Sequence, residues 1–133
     1  MIKTKIKDRK KVKIKYFDYG KIADWGTPKT YSKRKYFINY CEWIWKQKNK
    51  PNLVLIDGRF RICCFLNSLI KAKPETKIIF DDYIERPLYH VVEEFIKPKI
   101  INNRQALFIV PNKNQLNLDE IKKEIKKFQY VII

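Results

Sequence analysis

Three carboxylates hold positions where chemistry is done: Asp57 closes the run NLVLID, and Asp81 and Asp82 close KIIFDD. Both runs are apolar and of strand length. If they are neighbouring strands, about 4.8 Å apart, their acids meet at one edge of a sheet. Carboxylate oxygens converging there are ligands that a hard cation such as Mg²⁺ accepts, and no set of His and Cys residues competes for zinc. The same acids also serve without a metal, as strand ends and helix caps.

Basic and aromatic residues follow each acid. Arg59 and Arg61 follow Asp57 at two and four positions, while Tyr83, Arg86, Tyr89 and His90 come after Asp82. A guanidinium stays protonated, so Arg59 suits anion or carboxylate binding, or pairing with an acid, rather than proton abstraction. His90 is the single histidine. Imidazole titrates near neutral pH and can act as a general base, although beside a helix start it also serves as a cap or packing residue. Tyr83, Arg61, Arg86 and Tyr89 are the side chains placed to meet a substrate in the same cleft.

The elements that must position these residues alternate in type. Residues 12–18 (VKIKYFD) alternate apolar and charged side chains, as a half-buried strand does. Residues 20–32 carry Gly20, Gly26 and Pro28 around Trp25 and form an ordered loop. Trp25 closes over a substrate there or plugs the sheet edge. Tyr36, Phe37, Tyr40, Cys41, Ile44 and Trp45 recur at spacings of three and four, which predicts a helix over 33–48 with an aromatic core stripe. Residues 52–57 form a continuous apolar run, expected as a strand buried on both faces. A helix over 61–73 and a strand over 77–80 complete a βαβ unit, so the acids lie at the ligand-binding edge of an open α/β sheet.

Pro87 opens a further helix over 88–96, and Pro98 stops it. Strands at 99–102 and 106–110, joined by a polar turn, predict an antiparallel hairpin. Asn117 ahead of Glu120 starts the last helix in the manner of a capping box. Its apolar stripe is Leu118, Ile121, Ile125 and Phe128, opposite Lys122, Lys123, Lys126 and Lys127. Residues 130–133 form an apolar end that needs burial.

Composition narrows the function classes. The 133 residues, 45% hydrophobic and 14% aromatic, suffice for one globular domain, with residues 1–11 as a basic arm or extra strand. No run reaches the roughly 18 apolar residues of a membrane span, and the N-terminus lacks the apolar stretch of a signal peptide. A soluble cytoplasmic protein with no membrane partner is expected. Cys41, Cys63 and Cys64 lack the spacing of a zinc site or a disulfide framework and are expected as buried thiols. The net charge of +16 comes mostly from lysines on solvated faces, and no DNA- or RNA-binding motif accompanies it, so nucleic acid is the disfavoured partner.

The stretch NLVLIDGRF followed by KIIFDDY resembles the fourth and fifth strands of class I, S-adenosylmethionine-dependent methyltransferases of the magnesium-dependent O-methyltransferase kind. FDYGKIADWGTP, LVLIDGRFRICCFL and IIFDDYIERPLYHVVEEF together are similar to a group of bacterial methyltransferase-like proteins, over residues 12–110. The resemblance implies a Rossmann-like α/β fold in three layers, with a mostly parallel sheet of order 3-2-1-4-5-7-6 and a C-terminal antiparallel hairpin. Residues 12–18 would be its third strand. It further implies that Asp57, Asp81 and Asp82 ligate Mg²⁺ and hold the hydroxyl of a small substrate in line with the methyl donor.

The sequence departs from the family in two places. Where catechol-type members carry a basic residue three positions after the first Asp, this chain has Phe60. The first two strands, with the glycine-rich turn that holds the cofactor, have no counterpart, because no glycine precedes Gly20. The chain is therefore expected to be the C-terminal half of such a protein. Cofactor binding then depends on an N-terminal half, and the gap left in the sheet is closed by a longer protein, by a partner chain or second copy, or by a rearranged fold in which residues 12–18 pair directly with residues 53–57. The alternatives are a non-catalytic remnant or interaction module of the same fold, or a basic nucleic-acid-binding protein that uses the lysine-rich N-terminus and last helix.

Overall fold

The strand expected at 12–18 does not form among the described residues: the segment lies outside the sheet and pairs with none of its strands. The computed structural model describes residues 11–133, so the arm expected over 1–11 lies, Lys11 excepted, outside the described residues. The segment is held by its aromatic end instead. Phe17 and Tyr19 pack on Tyr40 with ring centroids 5.5 and 6.3 Å apart, and Tyr19 is buried. The direct pairing of 12–18 with 53–57 does not form.

The helix expected over 33–48 is shorter and tighter than its periodicity suggests. A 3-10 turn at Arg34–Tyr36 leads into α1, Phe37–Glu42, which tightens again into a 3-10 turn at Trp43–Lys46. No side chain caps α1, and uncapped ends commonly close with i→i+3 bonds. The stripe itself forms, with Phe37, Cys41 and Trp45 buried at successive turns.

β1, Leu53–Ile56, runs parallel to β2, Lys77–Phe80, with Leu53 opposite Lys77 and Ile56 opposite Phe80. Between them lies α2, Arg61–Lys71. The helix expected at 88–96 is a run of 3-10 turns, Pro87–Glu94. Its β-branched Val91 and Val92, and the packing of His90 on Tyr83 at 4.7 Å, suit short i→i+3 turns better than a regular α-helix.

The hairpin is the expected one. β3, Ile100–Asn102, and β4, Gln105–Ile109, join through a two-residue turn, where Asn103 adopts the positive φ of 55° that such turns require. β4 inserts antiparallel between β2 and β3, giving the order β1-β2-β4-β3. β1, β2 and β3 thus share one direction and β4 opposes them, as in the 4-5-7-6 portion of the expected sheet. The last helix, α3, spans Leu118–Phe128, and its first turn is capped by the Asn117 side chain, which accepts from the Glu120 amide at 3.2 Å.

The two faces of the sheet differ. Ile56, Ile78, Phe80, Ala106 and Phe108 lie buried beneath α2 and beneath Ile121 of α3. The register places Leu53, Leu55, Ile79, Leu107 and Ile109 on the opposite face. There Leu53 is 55% and Leu55 60% exposed, and the other three are half-buried. Of the three layers expected, the described residues build two. The expectation that residues 52–57 are buried on both faces is accordingly corrected: β1 is an edge strand with one covered face. Two carbonyls of this stretch, those of Asn52 and Ile56, accept from Lys77 and Asp81, so the alternate backbone groups of Leu53 and Leu55 point to the open edge.

The apolar C-terminal segment is accommodated at the start of α2, where the carbonyls of Ile132 and Ile133 accept from the amides of Phe60 and Arg61. Cys41, Cys63 and Cys64 are free, the first two buried, and the Cys64 and Cys41 sulfurs lie 3.6 Å apart across α1 and α2. No helix among the described residues is long and apolar enough to cross a membrane.

Candidate functional site

The loops after β1 and β2 turn sharply, and each does so through a non-glycine residue with left-handed backbone: Phe60 at φ 55° and Asp82 at φ 53°. Such conformations cost of order 1–3 kcal/mol each and persist where surrounding contacts impose them. Their effect here is to gather the strand-end acids. One oxygen from each of Asp57, Asp81 and Asp82 falls within 4.8 Å of the others. Asp81 is buried, Asp82 half-buried and Asp57 exposed.

Three arginines meet these three acids, so the cluster is formally neutral. Arg61, only 3% exposed, is the hub. Its Nε donates to the Gly58 carbonyl at 2.9 Å, and its Nη1 donates to the Asp81 carbonyl at 2.9 Å and to Asp82 Oδ2 at 3.2 Å. Nη2 lies 3.4 Å from Asp57 Oδ1. Arg86 approaches Asp82 at 3.6 Å from the outer side, and its other Nη donates to the Tyr89 hydroxyl. The Tyr89 ring is buried and lies beneath both guanidiniums at 5.7 and 5.8 Å.

Arg104 and Gln105 escaped the sequence reading. Arg104 Nε donates to Asp81 Oδ1 at 3.1 Å, and Gln105 Nε2 donates to the same oxygen at 2.8 Å. The signal that could have found them is register: with Phe80 opposite Ala106, the hairpin turn necessarily faces the loop after β2. The Tyr83 amide, donating to the Arg104 carbonyl at 2.7 Å, fastens that turn in place. Burial acts to raise the pKa of Asp81, but the hydrogen bonds from Gln105 and Arg104 outweigh it and hold the carboxyl below its ordinary value.

The remaining sequence candidates divide around this network. Tyr83 is buried, donates to Glu93 Oε2 at 2.7 Å, and has its hydroxyl pKa pushed up first by burial and then by that bond. His90 is half-buried, and its Nε2 donates to the Tyr83 carbonyl at 2.9 Å, so this nitrogen already has a structural partner. Arg59 forms no ion pair with the three acids among the described residues, although it shares a cleft with Asp57. It lines a cleft of about 220 Å³ beside β1, together with Cys41, Trp45 and Leu55, and its Nε is buried without a partner. Trp25 stands 88% exposed in the 3-10 turn Asp24–Gly26 and touches no ring of the site.

Two ligands can be weighed against these residues. The carboxylate set suits a hard cation in type and convergence, but such an ion must displace guanidiniums from all three acids. For S-adenosylmethionine the described residues offer one glycine at a strand end, Gly58. A Cβ there would lie 2.0 Å from the Tyr40 hydroxyl, so the space a cofactor would need above this glycine is filled by Tyr40.

With this geometry, the chain is similar to a solved methyltransferase-like protein from Silicibacter pomeroyi, at 29% sequence identity and a TM-score of 0.74 over 86% of the present chain. The chain spans 59% of the length of that protein. No protein-family model matches the chain, and no curated protein does. The open mixed sheet is a methyltransferase-like, Rossmann-like α/β fold.

Proposed function

We propose that the chain is the C-terminal portion of an S-adenosylmethionine-dependent methyltransferase-like protein, which methylates a small hydroxylated substrate when an N-terminal half completes it. The observation that carries this reading is the similarity to the Silicibacter pomeroyi protein, of whose length this chain spans 59%. The open edge of β1 supports it. Among the described residues, Leu53 and Leu55 present backbone groups without a strand partner, and exposed side chains, where a further strand and a covering layer would sit.

In this reading Asp57, Asp81 and Asp82 hold a divalent cation. Bound there, it would supply Lewis-acid polarisation of a substrate hydroxyl. Arg86, 46% exposed, is the partly open guanidinium beside the acids and would receive an anionic group of the substrate. Arg61, whose nitrogens are all engaged inside the protein, positions the acids instead.

A second reading, a non-catalytic module of the same fold, is favoured by the neutral cluster itself. Three acids already balanced by three arginines fasten β1, β2 and the hairpin together without any ligand.

Calorimetry with S-adenosylmethionine and with Mg²⁺ separates the two. It should be run on this chain and on a polypeptide that also carries an N-terminal half. The enzymatic reading expects the longer polypeptide to bind the cofactor, and Mg²⁺ binding to be lost in Asp81→Asn. Absence of cofactor binding in both polypeptides removes it and leaves the module.

A further inference from the structure

A cleft that shares no lining residue with the acid cluster lies between the segment that carries Phe17 and the face of α1. It measures about 610 Å³, within the roughly 300–1,000 Å³ of small-molecule sites. Its walls are aromatic: Tyr16, Phe17, Tyr19, Tyr36 and Trp43. Phe17 and Trp43 meet edge to face, with centroids 6.5 Å apart and planes at 81°. Tyr16 is 77% exposed, and Tyr36 is also exposed. Large aromatic surface left open beside a formed concavity is surface suited to a flat partner.

The charge of the lining is one-sided. Lys15, Lys33 and Lys46 border the cleft against the single carboxylate of Asp18, a net of +3 − 1 = +2. Asp18 pairs with Lys33. Lys46 pairs at 2.9 Å with Glu42, which lies outside the lining. Lys15 has no ion pair among the described residues and is exposed. S-adenosylmethionine, with a sulfonium and an ammonium against one carboxylate, carries positive charge and does not suit this lining. A phosphate monoester, of charge about −1.5 to −2 near neutral pH, matches it.

We propose that this cleft binds a planar ring bearing a phosphate, the chemistry of a nucleoside monophosphate. The ring stacks among Tyr16, Tyr36 and Trp43, and the phosphate sits toward Lys15, Lys33 and Lys46. Stacking on aromatic side chains is tolerant of ring identity and is worth roughly 1–3 kcal/mol per base in proteins that use it. The ammonium groups add charge-assisted hydrogen bonds to the phosphate oxygens. The site also has a physical route to the acid cluster. Phe17 packs on Tyr40, and the Tyr40 hydroxyl covers Gly58, the residue after Asp57.

The test is calorimetric titration at low salt with adenosine monophosphate, and separately with adenosine and inorganic phosphate as its two halves. The expected result is binding of the monophosphate, with each half at least about tenfold weaker. Lys15→Glu, at an exposed position outside any element, should weaken the monophosphate about tenfold while leaving adenosine binding and Tm unchanged. Trp43→Leu should weaken both adenosine and the monophosphate.

Any of three results overturns the proposal: no binding of the monophosphate, inorganic phosphate binding as tightly as the monophosphate, or indifference to Lys15→Glu. Binding confined to a single-stranded oligonucleotide, with a salt slope of several phosphates, also overturns it in favour of a strand-binding surface. No S-adenosylmethionine is present in the experiment, so its outcome and that of the methyl-transfer reading are independent.

Discussion

The two faces of the one sheet come from the same few residues and have opposite fates. On one, Ile56, Ile78, Phe80 and Phe108 are sealed beneath α2 and α3; on the other, Leu53 and Leu55 are exposed although Val54 between them is half-buried and Ile56 buried. Strand geometry alternates side chains strictly, so the difference lies in what covers each face and not in strand quality. Burial of a Leu is worth roughly 1.5–3 kcal/mol relative to exposure. The covered face therefore holds this chain together, and in the proposed reading the open face is where an N-terminal half would add most.

Substitutions can break or sharpen that contrast. The largest loss is expected from Phe108→Ala, which empties a fully buried ring site against Phe65 and Tyr83. About 3–5 kcal/mol should be lost in denaturant unfolding, and a loss under 1 kcal/mol would show that the covered face is not the core. Arg61→Met comes next, because it strands the acids around a buried hub. A loss of about 3 kcal/mol is expected, discounted from the buried-pair range for the exposure of Asp57. If thermal unfolding shows no change, the arginines do not hold the acid cluster.

Gly58→Ala forces a Cβ against the Tyr40 hydroxyl, whose ring is held by Phe17, Tyr19 and Phe60. Overpacking of this kind costs roughly 1–3 kcal/mol. The smallest effect is expected from Leu55→Lys on the open face, within about 0.5 kcal/mol for this chain alone. In a polypeptide that includes an N-terminal half the same substitution should cost several times more. Equal effects in the two polypeptides would show that nothing docks on that face.

The acid cluster and the aromatic cleft differ in how visible they were in the sequence. Asp57, Asp81 and Asp82 end apolar runs, a signal local to each run, and they do converge. Arg104 and Gln105 carry no such local mark, since their place beside Asp81 depends on β4 pairing with β2 rather than with β3 alone. The cleft was less visible still. Tyr16 and Phe17 belong to a segment whose alternation reads as a strand, yet among the described residues it joins no sheet and forms a wall of the cleft. The positive φ at Phe60 likewise has no sequence signal, because a bulky residue is a poor candidate for that conformation.

By itself the sequence determined whatever depends on neighbours along the chain. The helical stripe of α1, the two-residue hairpin turn, the Asn117 cap and the termination of β1 and β2 on acids are set by periodicity and local hydrogen bonding. The tertiary structure alone decided which arginine meets which acid, that β1 is an edge, and that one sheet face is open. These are relations between segments far apart in sequence, fixed by strand register and by which surfaces find a partner, and a one-dimensional pattern carries neither.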